Sequence, residues 1–249
     1  MKKLFISAIS LLICLLISVS AFAAINFTDV DKDKWYYEAV EYVYTNGVMV
    51  GVTKTEFKPD ATTNRAMVVA VLARLAKADF SDCTKTDFVD VPVDSWYGKS
   101  VIWAQKNGIV AGVDKTHFEP MKDITREQMC VMLSNFLDFM KLSTPNRTVE
   151  PFSDIDEVSS WAVKAVERLQ KASIVNGKEN NTFDPQGNAT RAEIAQIILS
   201  SRLADISVTP DEEKPAGDPD DEGKQAEGSA DGKKTNTDTS SDKKKSIEE

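Results

Sequence analysis

The chain has 249 residues, a formal net charge of −9, one histidine and three cysteines. This length allows one or two domains, and the two cysteines beyond residue 23 are too few for a disulfide framework. Residues 204–249 carry 14 acidic and 7 basic side chains, so most of the negative charge lies there. Residues 24–203 are only mildly acidic, which argues against nucleic-acid binding.

The first 23 residues have the pattern of a secretory signal peptide. Lys2 and Lys3 precede an apolar stretch over residues 4–19, and Ala-Phe-Ala at 21–23 is a small-residue cleavage site. We expect cleavage before Ala24, secretion of the chain, and no membrane insertion afterwards. A retained membrane anchor is the alternative, but the apolar stretch is short for a membrane span.

A set of landmarks occurs three times between residues 24 and 203. An F-x-D motif opens each unit, a tryptophan follows it, and an F-x-P motif precedes an arginine. The arginines lie 61 and 65 residues apart, and the tryptophans and F-x-P phenylalanines keep the same two offsets. This agreement predicts three tandem repeats, with boundaries at 24–80, 81–143 and 144–203.

Each repeat contains two apolar patterns with helical spacing. The first is expected to begin at the tryptophan, with caps supplied by residues 94–95 and 159–160 in the second and third repeats. Two helices cannot bury a stable core alone, so the repeats are expected to pack on one another. The residues themselves leave an open stack and a closed pseudo-threefold arrangement as alternatives.

The second helix of each repeat is expected to begin at its arginine. Thr190 and Glu193 have the spacing of a capping box around Arg191. A cation in the first helical turn costs about 0.3–1 kcal/mol, because the helix N-terminus already carries partial positive charge. An arginine placed there three times indicates a use, and a helix N-terminus with a guanidinium suits an anion. The three residues are Arg65, Arg126 and Arg191.

The order F-x-D, Trp, Gly, F-x-P and T-R-A-E, found three times after a signal peptide, resembles the S-layer homology domain. The match covers roughly residues 27–203, and the T-R-A-E motif is complete only at residues 190–193. The resemblance implies a mainly α fold, in which three tandem helix-loop-helix repeats form a pseudo-threefold unit around a central helix bundle. It also implies non-covalent attachment to the cell wall, through an anionic, typically pyruvylated, secondary cell-wall polysaccharide bound in grooves between repeats.

The resemblance assigns ligand contact to the motif arginine, which here means Arg65, Arg126 and Arg191. The sequence alone allows a different role, a structural salt bridge to a repeated aspartate. The tryptophans could stack on sugar rings or pack in the core. The aspartates could bind sugar hydroxyls or form turns. The residues that follow the first helix could allow a ligand to approach the backbone closely. These candidate ligand-binding residues are Trp35, Trp96, Trp161, Asp29, Asp90, Asp154, Gly47, Gly108 and Ser173.

No enzyme is predicted, because each repeat offers the same single aspartate and no catalytic triad is supported. Neither a metal site nor a cofactor is expected, since no His/Cys cluster has ligand spacing and no Gly-rich phosphate loop occurs. The alternative function is a structural or protein-interaction module of the cell surface, for S-layer assembly or cargo docking, that does not depend on the polysaccharide.

Residues 204–249 lack aromatic side chains and are rich in Asp, Glu, Lys, Gly, Ser and Pro. Such a segment cannot bury enough apolar area to offset its ordering entropy, so a disordered acidic tail is predicted. It serves either as a solvated spacer or as a docking segment for another surface protein. Of the two cysteines, Cys130 is expected to be a buried thiol on an apolar helix, whereas Cys83 lies in a polar linker that allows it to be exposed.

Overall fold

The structure is a computed structural model that describes residues 25–203. The predicted signal peptide and the predicted acidic tail lie outside the described residues. Within the described range there are six α-helices and no β-strand, which confirms the mainly α fold. None of these helices has the length and apolar character needed to cross a membrane. They are α1 (Tyr37–Thr45), α2 (Arg65–Leu75), α3 (Gly98–Lys106), α4 (Arg126–Phe139), α5 (Val163–Lys171) and α6 (Arg191–Ser201).

The second helix of each repeat starts at its arginine, as predicted. Thr190 and Thr125 each form a complete capping box, with Glu193 and Gln128 respectively. Asn64 caps α2 without a box, since Met67 stands at the third helical position. The cap side chain satisfies an N–H group that has no partner inside the helix. Local sequence therefore sets where these three helices begin.

The first helices start two residues later than predicted. The tryptophans lie in the preceding turns, and the N-cap residues Tyr36, Tyr97 and Ala162 make no side-chain cap hydrogen bond. The predicted serine caps are therefore wrong. Ser95 donates instead to the carbonyl of Pro92 at 2.7 Å, within its own turn.

Two residues after the end of the first helix of each repeat, the chain passes through a residue in the left-handed backbone region. Gly47 and Gly108 have φ of 67° and 68°, and Ser173 has φ of 58°. Glycine adopts this conformation without steric cost, whereas serine does so only against the clash of its Cβ atom. Arg147 donates to the Ser173 hydroxyl at 2.7 Å and to the carbonyl of Ala172. This side chain holds the third turn where glycine is missing.

The repeats close into a ring. Helix α2 packs on α3 of the second repeat, α4 packs on α5 of the third, and α6 packs on α1 of the first. Three backbone hydrogen bonds repeat this cycle: Thr63 donates to Ala189 (2.9 Å), Ala189 to Ile124 (3.0 Å) and Ile124 to Thr63 (2.9 Å). The structure therefore has the closed pseudo-threefold arrangement and not the open stack.

The core runs through all three repeats. The arginine helices are buried over most of their surface, and their apolar side chains belong to one continuous hydrophobic cluster. Trp103 packs edge-on against Phe139, with ring centroids 5.4 Å apart. Cys130 is buried as expected, and burial raises the pKa of its thiol to about 12. Cys83 is also buried, so the exposed position that its polar linker allowed is not the one it takes. Its neighbours in the linker pack against the core, although the linker is polar in composition.

Candidate functional site

Each of the three arginines reaches into the F-x-P loop of the next repeat around the ring. Arg65 Nε donates to the carbonyl of Phe118 at 2.8 Å, and Arg126 Nε donates to that of Phe183 at 2.6 Å. Arg191 Nε donates to the carbonyl of Phe57 at 2.7 Å and closes the ring. The guanidinium carbons lie 4.5, 5.0 and 4.4 Å from the centroids of the same three phenyl rings.

These guanidinium groups are buried, with 4% of Arg65, 4% of Arg126 and 8% of Arg191 exposed. The Nη2 atom of each donates to a second carbonyl, in the loop that follows the first helix of the next repeat. Burial lowers the pKa of Arg65 and Arg191. The charges of Glu119 and Asp90 oppose the shift in the pKa of Arg65, and that of Asp29 opposes the shift in the pKa of Arg191. Charge, stacking and two carbonyl bonds fix the orientation of each planar group.

The helix N-termini beside these arginines are already satisfied by the protein. In α6, the N–H groups of Arg191 and Ala192 donate to the carbonyls of Ala61 and Pro59. The third N–H, of Glu193, donates to the Thr190 hydroxyl. Helices α2 and α4 repeat this pattern on the loops of their neighbours. The backbone N–H donors that suggested an anion site are therefore occupied. Of the groups that suggested this site, only the guanidinium of each arginine remains.

The three candidate aspartates hold the F-x-P loops. Asp90 accepts the N–H of Phe118 at 2.9 Å on one carboxylate oxygen and that of Glu119 at 2.7 Å on the other. Asp29 and Asp154 do the same in their own repeats. The middle residue of each F-x-P motif has positive φ, between 56° and 57°, which is uncommon for a non-glycine residue. Each aspartate thus holds a turn that the chain does not favour.

An aspartate and an arginine converge on each F-x-P phenylalanine from opposite sides of its backbone. Asp90 binds the N–H of Phe118 from within the same repeat, and Arg65 binds its carbonyl from the preceding repeat. No ion pair joins these arginines to the repeated aspartates within residues 25–203. In place of the salt bridge that the sequence allowed, the two side chains bind the backbone of the same residue.

The candidate tryptophans are exposed, with 61% of Trp35, 58% of Trp96 and 55% of Trp161 accessible. Core packing, which the sequence left open, is therefore not their role. Trp35 lines a groove of about 540 Å³ with Arg126, Gly177, Glu193 and Gln196. All three repeats contribute to this groove, since Trp35 comes from the first, Arg126 from the second and the other side chains from the third.

We name this groove the Arg126 groove, and the repeat offsets predict equivalent positions at the other two junctions. At the Arg191 junction Trp96 takes the place of Trp35, and at the Arg65 junction Trp161 does. Trp96 lines a cavity with Ala70, which is the residue equivalent to Gln196 beside Trp35. The structure thus brings one tryptophan and one arginine of the predicted set together in the groove of Trp35 and Arg126.

The remaining predicted residues lie apart from the groove lining. Gly47, Gly108 and Ser173 stand at helix ends, directly before the loops that line the grooves. A Cβ atom added at Gly47 or Gly108 would meet no atom within 4 Å, so their left-handed φ, and not a close contact, requires glycine. The ligand contacts assigned to them and to the aspartates stay predictions.

One buried carboxylate was missed by the sequence argument. Glu127 is 2% exposed and stands where the other two repeats have Ala66 and Ala192. Its carboxylate accepts from the backbone N–H and the hydroxyl of Ser159, and from the amide of Gln186, all at 2.9 Å. The sequence shows that Glu127 departs from the T-R-A-E motif. It does not show the residues that Glu127 binds, because they lie 32 and 59 residues further along the chain.

We expect Glu127→Ala to lower the free energy of unfolding by about 2 kcal/mol, because it leaves three donors without their acceptor in a largely buried site. Urea unfolding measures this change. Glu157→Ala is the control, since Glu157 is exposed and should change stability by about 0.5 kcal/mol or less. Equal stability of the two variants would show that water replaces the carboxylate at no cost.

These features define a closed ring of helix pairs that carries a groove with an exposed tryptophan and a buried arginine at one of its junctions. The sequence pattern of the S-layer homology domain matches residues 26–66, 87–130 and 151–195, which together exceed half of the chain. The chain therefore belongs to the S-layer homology domain family, with three tandem copies of the domain.

Several curated proteins share this region. An amylopullulanase of Thermoanaerobacterium thermosulfurigenes is 35% identical over 70% of this chain and 9% of its own length. The S-layer protein sap of Bacillus anthracis is 30% identical over 59% of the chain and 17% of its own length. A cellulosome-anchoring protein of Acetivibrio thermocellus is 26% identical over 58% of the chain and 33% of its own length. The chain thus spans between about a tenth and a third of these relatives.

Proposed function

We propose that this chain is a non-covalent cell-wall anchor, which binds an anionic, pyruvylated secondary cell-wall polysaccharide in the grooves between its repeats. It acts at the cell surface after secretion. The observation that carries this proposal is the groove in which the exposed Trp35 and the buried Arg126 meet, at a junction to which all three repeats contribute.

The chemistry of the groove suits such a ligand. An indole face exposed over more than half of its area offers an apolar surface for the C–H face of a sugar ring, and burying that surface is favourable. A pyruvate ketal adds a carboxylate, which a guanidinium binds with charge-assisted hydrogen bonds. Because each guanidinium is already held by carbonyls and a phenyl ring, it loses little freedom on binding.

The family and the relatives support anchoring at the cell surface. Among the relatives, one is named as an S-layer protein and another as a cellulosome-anchoring protein. The relatives named as enzymes share only a small part of their length with this chain, so their catalytic activities are not carried over. We propose an anchor without enzymatic activity and without a cofactor, whose partner is the wall polysaccharide.

The test is co-sedimentation of residues 24–249 with purified cell walls from the same source. Three preparations are compared: intact walls, walls stripped of polysaccharide, and walls whose polysaccharide lacks pyruvate. We expect sedimentation with intact walls only. Equal binding to stripped walls would overturn the proposal and favour the alternative function, a surface protein-interaction module.

A variant with Trp35, Trp96 and Trp161 all changed to alanine should lose wall binding by about tenfold or more, since each substitution removes apolar indole surface whose burial is worth about 25 cal/mol per Å². Its unfolding transition should stay nearly unchanged, because the three side chains are exposed. The control is Val89→Ala with Met121→Ala, two exposed apolar residues that do not line the described groove. Full wall binding by the tryptophan variant would remove the grooves from the proposed site.

A further inference from the structure

The cavity that Trp96 lines, which we name the Trp96 cavity, has a volume of about 330 Å³ and lies where α2 meets α3. Its lining includes two aromatic side chains, Phe80 and Trp96, two cations, Arg74 and Lys77, and one hydroxyl, that of Ser100. Of these five residues, only Trp96 recurs in all three repeats. The Trp96 cavity therefore owes its chemistry to residues that are particular to one junction.

Ser100 carries a buried hydroxyl that the protein itself does not bind. The residue is 8% exposed, and within residues 25–203 its Oγ atom has no hydrogen-bond partner. Buried polar groups are nearly always hydrogen-bonded, because an unmade bond costs free energy. The equivalent residues in the other two repeats are Ala39 and Ala165, so the fold does not need this hydroxyl. A buried polar group of this kind points to a partner from outside the chain.

Two positive charges stand beside this hydroxyl. Arg74 Nη1 donates to the carbonyl of Val48 at 3.1 Å, which holds the guanidinium in place at the cavity. Neither Arg74 nor Lys77 forms an ion pair with any residue in the described range. Asp79, the acidic residue nearest to them along the chain, accepts from the N–H and the hydroxyl of Ser81 in its own turn. The charges of the Trp96 cavity thus suit an anion.

The other two junctions fill the equivalent positions differently. At the junction of α4 and α5, Asp138 takes the place of Lys77 and pairs with Arg168 at 2.7 Å. The same guanidinium donates to the Ser134 hydroxyl at 3.1 Å. At the junction of α6 and α1, Leu203 takes the place of Lys77. Of the three junctions within residues 25–203, only that of α2 and α3 has two cations at these positions.

Resting on the proposed function, which supplies a polysaccharide ligand, we infer that the Trp96 cavity is a separate site for an acidic sugar unit. The phosphate or carboxylate group of that unit binds Arg74 and Lys77 through charge-assisted hydrogen bonds, and one of its oxygens accepts from Ser100. The sugar ring packs against Trp96 and Phe80, whose apolar surface it buries. None of the three motif arginines lines this cavity, so the site is additional to the Arg126 groove and its equivalents.

The indole N–H signals in a nitrogen–proton correlation spectrum of labelled residues 24–249 report on each tryptophan separately. The probes are a methyl hexoside 6-phosphate, a methyl hexuronoside and the neutral methyl hexoside. We expect an acidic probe to shift the Trp96 signal at concentrations about tenfold or more below those of the neutral probe. The same acid should need similarly higher concentrations to shift Trp35 or Trp161. The acid that binds more tightly identifies the charged group as a phosphate or a carboxylate.

Removal of both cations tests the role of charge. Arg74→Asn with Lys77→Gln should raise the titration midpoint at Trp96 about tenfold or more. Asparagine is chosen because Asn135, the equivalent residue, donates to the equivalent loop carbonyl at 3.2 Å, so the contact within the repeat is kept.

The matched control is Lys115→Gln with Lys141→Gln, which removes two exposed cations that do not line the cavity. Lys141 follows its helix with φ of 54°, close to the 49° of Lys77, so the two lysine changes are alike in backbone conformation. The control should leave the midpoint at Trp96 unchanged.

Ser100→Ala tests whether the anion enters the cavity or stays at its rim. We expect a midpoint about threefold or more higher, because one hydrogen bond to the ligand is lost. The variant should fold as well as the unchanged protein, since alanine occupies this place in both other repeats. An unaltered midpoint would place the anion on the surface cations alone and overturn the cavity as its site.

The Trp96 cavity is also excluded as an acid site if neither acidic probe shifts Trp96 before the neutral one, or if the loss of Arg74 and Lys77 leaves the midpoint unaltered. Wall sedimentation separates these results from the proposed function. Arg74→Asn with Lys77→Gln should still sediment with intact walls in a pyruvate-dependent manner, because the motif arginines are unchanged. Equal binding of the unchanged protein to stripped walls would overturn the proposed function and with it the polysaccharide as the source of the acidic sugar.

Discussion

Arg126→Ala is expected to lower the free energy of unfolding by about 3–5 kcal/mol, the usual result of removing one partner of a buried ion pair. The change leaves Glu193, whose side chain is 17% exposed, without its cation. It also leaves the carbonyls of Phe183 and Asn176 without a donor and uncovers one face of the Phe183 ring. The loss is therefore one of structure as well as of binding.

Urea unfolding of residues 24–249 measures this effect, with Lys122→Ala as the control. Lys122 pairs with Glu119 at 2.7 Å, but its side chain is 61% exposed, so its loss should cost about 1 kcal/mol or less. The double variant Arg126→Met with Glu193→Gln should recover part of the stability, because no unpaired charge remains. A loss below 1 kcal/mol for Arg126→Ala would show that the guanidinium is not integral to the junction.

Phe57→Ala should have a comparable effect, about 3–5 kcal/mol, as expected for truncating a fully buried phenylalanine. The ring packs against Phe27, with centroids 5.6 Å apart, and lies beneath Arg191. Phe57 belongs to the junction that joins the first repeat to the third, across 134 residues of sequence. Its loss therefore weakens the contact that closes the ring.

The same unfolding experiment also reports on cooperativity. Because each repeat is completed by its neighbours, we expect Phe57→Ala to unfold in one transition whose denaturant dependence matches that of the unchanged protein. Phe57→Leu is the gentler control, since it keeps most of the buried volume and should lose less stability. Two separate transitions would contradict the closed ring, because they would mean that one repeat unfolds while the others persist.

The periodic features of this fold were predictable from the sequence because they depend on local rules. The offsets of 61 and 65 residues defined the repeats, and the cap residues Asn64, Thr125 and Thr190 set the starts of the arginine helices. The starts of the first helices were predicted less well. There the capping side chains that the pattern suggested are used for turns and for a contact to Glu127.

The residues that each side chain contacts were not predictable, because these contacts depend on which repeats are neighbours in the ring. The spacing placed Arg191 at a helix start, but only the closed ring brings it to Phe57 and hides more than nine-tenths of it. The sequence did not decide whether Trp96 and its equivalents are buried or exposed, because the start of an amphipathic helix has both buried and exposed positions. The burial of Cys83 was not predictable either, because a polar segment can still place one small side chain against a core.

The three-way cycle of backbone hydrogen bonds among Thr63, Ile124 and Ala189 fixes the copy number of this domain. A linear array can gain or lose a unit by duplication or deletion, because its end units already tolerate one missing neighbour. Here every unit is both donor and acceptor, so removal of one would leave a donor and an acceptor unmatched, and a fourth unit would have no place in the cycle. Duplication of this domain can therefore yield a second complete trio, but not a longer chain of equivalent units.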